Sequence, residues 1–156
     1  MSEFRSNSFV LFPMGDKRFA LPSQQVTELA MPDRLHRFPH TTPLLAGVLV
    51  RRGNIIPVCD IADVLVGAET PSRKFFLIAT RGHGHSAECI AIPVTGECEL
   101  AKAQVVPPVD GGPAFVTGAL NFRGEDIEIV DIDRLISEYA AKAATAVRAR
   151  GVEVPA

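Results

Sequence analysis

Gly47 to Ile61 reads "GVLVRRGNIIPVCDI", and Gly118 to Ile132 reads "GALNFRGEDIEIVDI". Laid over one another at an offset of 71 residues (118 − 47), they share Gly47/Gly118, Leu49/Leu120, Arg52/Arg123, Gly53/Gly124, Ile56/Ile127, Asp60/Asp131 and Ile61/Ile132. In the first copy two apolar runs flank Arg52-Gly53-Asn54, where Gly-Asn supplies the positive φ angles of a tight hairpin. The second copy turns at Arg123-Gly124-Glu125. The chain therefore carries one hairpin pattern twice.

The repeat extends outward from these hairpins. Phe19-Ala20-Leu21-Pro22 matches Ile90-Ala91-Ile92-Pro93, and Glu28-Leu29 matches Glu99-Leu100, at the same offset. Upstream, "FVLF" from Phe9 matches "FFLI" from Phe75 at 66, which puts about five extra residues (71 − 66) into "TRGHGHSAE", a hairpin tip that tolerates insertion. The halves run from Phe9 to Leu65 and from Phe75 to Ile136, joined by the small, polar linker "GAETPSR". Short runs of aromatic and branched residues, some closed by a proline that cannot donate to a ladder, read as strands. About five per half predict a mainly β fold, two small bent sheets or barrels packed face to face. One helix is expected over 133–150, capped by Asp133, with Leu135, Ile136 and Tyr139 on one face and Gly151 as its stop. Residues 1–150 then form one domain, with lobes over 9–65 and 75–136, and 151–156 form a flexible tail.

Composition narrows the function. The chain has 156 residues, 47% of them hydrophobic, a net charge of −2 and a pI near 6.1. It is long enough to bury a core, and it lacks the positive field that draws proteins to nucleic acid or acidic lipid. No apolar run approaches the length of a bilayer span, and the N-terminus does not follow a signal-peptide pattern, so a cytoplasmic location is expected. Cys59, Cys89 and Cys98 lack metal or redox spacing and read as reduced, half-buried packing residues. Asp60 and Asp131, one per half, suggest a shared-proton carboxylate pair and hence a duplicated aspartyl hydrolase. Each, however, is followed by isoleucine rather than by the small, tight turn such a dyad needs, and a bond to backbone N–H groups at a strand end is the simpler role. His83 and His85, even with Glu88, make an incomplete metal set. No nucleophile elbow or phosphate loop is present. The residues thus predict a binding module with no catalytic residue, no metal and no cofactor.

The stretch "VTELAMPDRLHRFPHTTPLLAGVLVRRGNIIPVCDIADVL" resembles the CheW-like family of chemotaxis coupling proteins. The matching positions are Val26-x-Glu28-Leu29, Leu35-x-Arg37-Phe38-Pro39, Pro43, Gly47-Val48-Leu49, Arg52-Gly53 and Pro57-Val58-x-Asp60-Ile61. The resemblance implies two five-stranded SH3-like β-barrels and a non-catalytic adaptor. It would have separate surfaces for a chemoreceptor's cytoplasmic tip and for the regulatory domain of a CheA-type histidine kinase, at receptor arrays on the inner face of the membrane. A coupling protein of another chemosensory-type system, such as pilus-driven motility, would share the chemistry and change only the partners. Val26, Glu28, Leu29, Arg37, Gly47 and Arg52 are the expected partner-binding residues, with Arg123 at the equivalent turn. The family's Asn-Leu before Arg-Gly is Val50-Arg51 in the first copy, while the second carries Asn121-Phe122.

Overall fold

The computed structural model describes residues 8–31, 35–37, 44–67, 75–82 and 87–139. Among these residues twelve strands follow one another: β1 (Ser8–Met14), β2 (Lys17–Pro22), β3 (Val26–Ala30), β4 (His36–Arg37), β5 (Leu45–Arg51), β6 (Asn54–Cys59), β7 (Phe75–Arg81), β8 (Glu88–Val94), β9 (Glu99–Lys102), β10 (Val105–Val106), β11 (Val116–Phe122) and β12 (Glu125–Val130). A short helix α1 (Ala62–Val66) follows β6, and residues 132–139 form α2 after β12. The repeat relates β1–β6 and α1 to β7–β12 and α2.

Two six-stranded sheets form, in the orders β10-β11-β12-β2-β1-β9 and β3-β7-β8-β6-β5-β4. Replacing each strand of the first by its repeat counterpart gives the second, reversed. Each sheet takes strands from both halves of the chain, and the halves meet at a parallel pairing: Val58 of β6 opposite Ala91 of β8, and Ile129 of β12 opposite Ala20 of β2. These pairs are themselves one repeat apart (129 − 58 and 91 − 20). The repeat units over 9–65 and 75–136 therefore do not coincide with the two lobes, contrary to the sequence expectation. The physical cause lies at Pro22. It ends β2, the 3₁₀ turn Ser23–Gln25 carries the chain into the other sheet, and the open edge of the β1–β2 hairpin is closed by β12 from the other half. Each sheet still contains five strands of four residues or more, plus one two-residue edge strand, β4 or β10.

The cores obey the same symmetry. One barrel encloses Phe9, Leu11, Ala20, Ala101, Leu120, Ile127 and Ile129; the other encloses Phe76, Ile78, Ala91, Ala30, Leu49, Ile56 and Val58. Taken in that order the two sets are repeat counterparts, residue for residue. For β1 and β7 the offset is 67 (76 − 9), so the second copy's insertion is four residues rather than five. A third cluster, including Phe12, Phe19, Leu21, Ile61, Leu77, Ile90, Ile92, Ile132 and Leu135, joins the sheets to one another and to both helices.

The repeated aspartate stands just ahead of each helix, one residue before the N-cap Ile61 of α1 and at the start of α2. Asp60 Oδ1 accepts the Ala62 N–H at 3.2 Å, and Asp131 Oδ1 accepts the Arg134 N–H at 3.2 Å. Such caps satisfy N–H groups that a first helical turn leaves unpaired. The cap of α2 is therefore Asp131, not Asp133, whose carboxylate instead bonds Arg81 Nε at 3.2 Å and the Gly82 N–H at 3.3 Å. α1 was not expected from the sequence. It is one turn long, and Gly67 ends it at φ +71°.

Candidate functional site

Each hairpin that opens the sequence turns on two residues of positive φ: Arg52 (+51°) and Gly53 (+80°), Arg123 (+53°) and Gly124 (+83°). Positive φ at both central residues is the two-residue hairpin turn that matches strand twist. The left-handed pair is thus Arg-Gly, not the Gly-Asn read from the sequence. An arginine there costs about 1–2 kcal/mol relative to an unstrained conformation, yet both copies carry one. Its side chain pairs with a glutamate on a distant strand. Arg52 Nη1 lies 3.7 Å from Glu28 Oε2 on β3, and Arg123 Nη1 lies 3.0 Å from Glu99 Oε2 on β9. Each of these edge strands stands three and four places from the two strands of the paired hairpin in its sheet order. A flat sheet would hold them about 14–19 Å apart at the usual 4.7–4.9 Å strand spacing, so these pairs require, and help close, a strongly curled sheet.

Around this shared frame the copies diverge. In the first, Arg51 also bonds Glu28, so two guanidinium groups share one carboxylate. In the second, the counterpart of Arg51 is Phe122, whose ring lies under Arg123 at 4.6 Å and Arg18 at 5.8 Å. Arg18 bonds Glu125 at 2.7 Å and Glu99 at 3.0 Å, and the hydrogen bond to Glu125 helps push its guanidinium further above the ordinary arginine range. Among the described residues, the second turn is thus charge-balanced by Glu99 and Glu125, while at the first two arginines face one glutamate.

The expected contact residues fall into three positions. Val26 packs against the core that joins the sheets, whereas Leu29 is 38% exposed, so the two face opposite ways as strand geometry requires of residues three apart. Glu28, Arg52 and Leu29 stand together at the curled edge of one sheet. Arg37 is exposed on β4 opposite Gly47. Gly47 itself is buried, and a Cβ there would meet the backbone oxygen of His36 at 2.3 Å, so its role is to let β4 lie against β5. Arg123 lies in the other lobe with Glu99. Phe38, Pro39, His40, Pro43, His83 and His85 lie outside the described residues.

Among the described residues, other chemistry has no assembled site. Asp60 accepts the Ala62 N–H ahead of α1 and Asp131 caps α2, at the ends of strands in different sheets. Burial pushes the Cys59 thiol up to about 11, against the pull of nearby Arg81 and with a smaller push from Glu88, and burial alone does the same to Cys98. Both are protonated at neutral pH and poor nucleophiles. Cys89, expected to be half-buried, is exposed on β8. Among the described residues, no group of three or more His, Cys, Asp or Glu is placed to hold a metal, and no helix is long and apolar enough to cross a membrane.

The chain is thus a duplicated, strand-exchanged pair of SH3-like β-barrels with paired Arg–Glu closures. Residues 8–140 match the CheW-like domain, and the chain belongs to that family of non-catalytic coupling proteins of chemosensory signalling. It is 28% identical over 143 residues to protein FrzA of Myxococcus xanthus, covering 86% of this chain and 88% of FrzA. The fold is similar to the crystal structure of the scaffolding protein TtCheW from Thermoanaerobacter tengcongensis, with a TM-score of 0.69 at 20% identity, over 81% of this chain and 85% of that one.

Proposed function

We propose that this chain couples a chemoreceptor's cytoplasmic tip to the regulatory domain of a CheA-type histidine kinase, holding both in fixed geometry at receptor arrays on the inner face of the membrane. The observation that carries the reading is the pair of symmetry-related but chemically different barrels, locked into one body by strand exchange. Such a body offers two separate faces, and neither can shift without the other. Glu28, Leu29, Arg37 and Arg52, with Gly47 as the backbone seat of β4 and Val26 packed behind β3, form the first face. Arg123 marks the second.

Arg52→Glu tests the first face. The Arg52 side chain is 79% exposed and Arg51 remains to neutralise Glu28, so folding should lose no more than the roughly 0–1 kcal/mol of a surface ion pair. Binding to the receptor tip or the kinase domain is expected to weaken by about 1–3 kcal/mol, the scale of one charge-assisted contact. Arg123→Glu is the matched control at the other turn. Calorimetric titration, with thermal melts as the folding check, reads both. Unchanged affinity of Arg52→Glu for both partners would remove the first face from the interface.

A further inference from the structure

A duplicated chain has a choice of pairings that its barrel interiors do not decide. Each barrel sets a hairpin from one half of the chain, β1–β2 or β7–β8, against four strands of the other half. The residues that fill the two interiors are repeat counterparts, and they differ in type only at Leu11/Ile78 and Val58/Ile129. A shifted branch point or one methylene is a difference that a core absorbs. A first half would therefore fill a barrel almost as well with the first half of a second copy as with its own second half. The same holds for two second halves.

Charge does distinguish the pairings. Where β2 meets the second half, Lys17 Nζ lies 3.2 Å from Glu128, and Arg18 lies 2.7 Å from Glu125 and 3.0 Å from Glu99. Each of these pairs joins the first half to the second. In the other barrel the counterparts of Lys17 and Arg18 are Glu88 and Cys89, and those of Glu128, Glu125 and Glu99 are Pro57, Asn54 and Glu28. There the charged groups pair within their own half, Arg81 with Glu88, and Arg51 and Arg52 with Glu28.

Like halves brought together in the same register would lose this match. Two first halves set Arg18 against Asn54 and against a Glu28 that two arginines already share. Two second halves set Glu88 against Glu128, and Cys89 against Glu125 and Glu99. We propose that Lys17 and Arg18 are the residues that make unlike halves pair, so that the chain closes on itself rather than joining like halves of a second copy. The covalent link of residues 68–74 favours the same outcome, at an effective concentration on the order of millimolar. The charges therefore matter most where copies are concentrated. This selection stands apart from the coupling role above and does not depend on it.

The test refolds full-length chains from urea at roughly 1 µM and roughly 500 µM, far below and close to the effective concentration of the link. Light scattering reads the mass of each product, and a melting curve reads its stability. K17E/R18E turns the pairs into repulsions and is expected to melt about 5–10 °C early, the scale of several surface pairs in a chain of this size. Adding E125R/E128K to the same chain is expected to recover at least half of that loss. The deciding variant is E88K/C89R, which copies the first half's charges onto exposed positions of the second and leaves the native pairs untouched. Two second halves then gain partners in Glu128, Glu125 and Glu99. This variant is expected to melt within a few degrees of the unmodified chain. After concentrated refolding its dimer fraction is expected to be about threefold higher or more, the effect of one or two surface ion pairs. Exchange of unlike halves between copies raises no variant above the unmodified chain. A brace with no part in selection would leave E88K/C89R at the unmodified chain's dimer fraction, and that result would overturn the proposal. So would K17E/R18E melting as the unmodified chain does, or losing stability that E125R/E128K does not return. If K17E/R18E does not fold at all, E88K/C89R decides alone.

Discussion

Produced separately, residues 1–70 and 71–156 are expected to remain unfolded, and on mixing they are expected to regain the β spectrum and compact size of the intact chain. Contiguous barrels would allow each half to fold by itself; exchanged strands do not. Without the second half, Phe9, Leu11 and Ala20 lose Leu120, Ile127 and Ile129, the residues that complete their barrel interior. Without the first, Phe76, Ile78 and Ala91 lose Ala30, Leu49, Ile56 and Val58. The core joining the sheets is divided as well, with Phe12, Phe19 and Leu21 on one side of the cut and Leu77, Ile90 and Ile92 on the other. Burial of one large apolar side chain contributes about 1.5–3 kcal/mol. Losing several exceeds the 5–15 kcal/mol or so by which a whole domain is stable. Circular dichroism and size exclusion read the outcome, and a compact monomeric half would contradict the topology.

Gly47→Ala is expected to destabilise the chain by about 2–4 kcal/mol, at or above the usual range for overpacking. The added Cβ meets the His36 carbonyl oxygen at 2.3 Å, and that oxygen belongs to backbone fixed by the β4–β5 pairing. Relief requires pulling β4 away from the sheet, with Arg37 on it. Gly118→Ala, the repeat counterpart, approaches the Val106 oxygen at 2.8 Å and Val105 Cγ1 at 2.9 Å, so it should cost less. Urea unfolding of both variants measures the difference. If Gly47→Ala is as stable as the unmodified chain, β4 does not seat on the glycine.

What the sequence made legible follows from what a repeat preserves. Glycine beside an edge strand, aspartate at a helix cap and apolar residues inside a barrel recur because the local geometry demands them, so an offset of 71 locates them in pairs. The fold class and the hairpin positions could be read this way. Strand exchange could not, because nothing local in Phe19-Ala20-Leu21-Pro22 records whether its open edge meets β6 or β12; that choice is made by long-range pairing. α1 is too short for periodicity to register, although Asp60 and Gly67 mark its two ends. The strained arginines escaped notice because arginine gives no local signal for positive φ; the tie to Glu28 or Glu99, which accompanies each, appears only once the sheet curls.

The coupling role requires that both partners be held at once. The direct measurement is titration of the kinase regulatory domain into this protein alone and into its preformed complex with the chemoreceptor tip, with the mass of the final species read by light scattering. Two faces on one rigid body predict a species containing all three components and a kinase affinity that changes by less than about threefold, under 1 kcal/mol of coupling. Displacement of the receptor tip by the kinase domain would mean that the two compete for a single face, and would contradict the account.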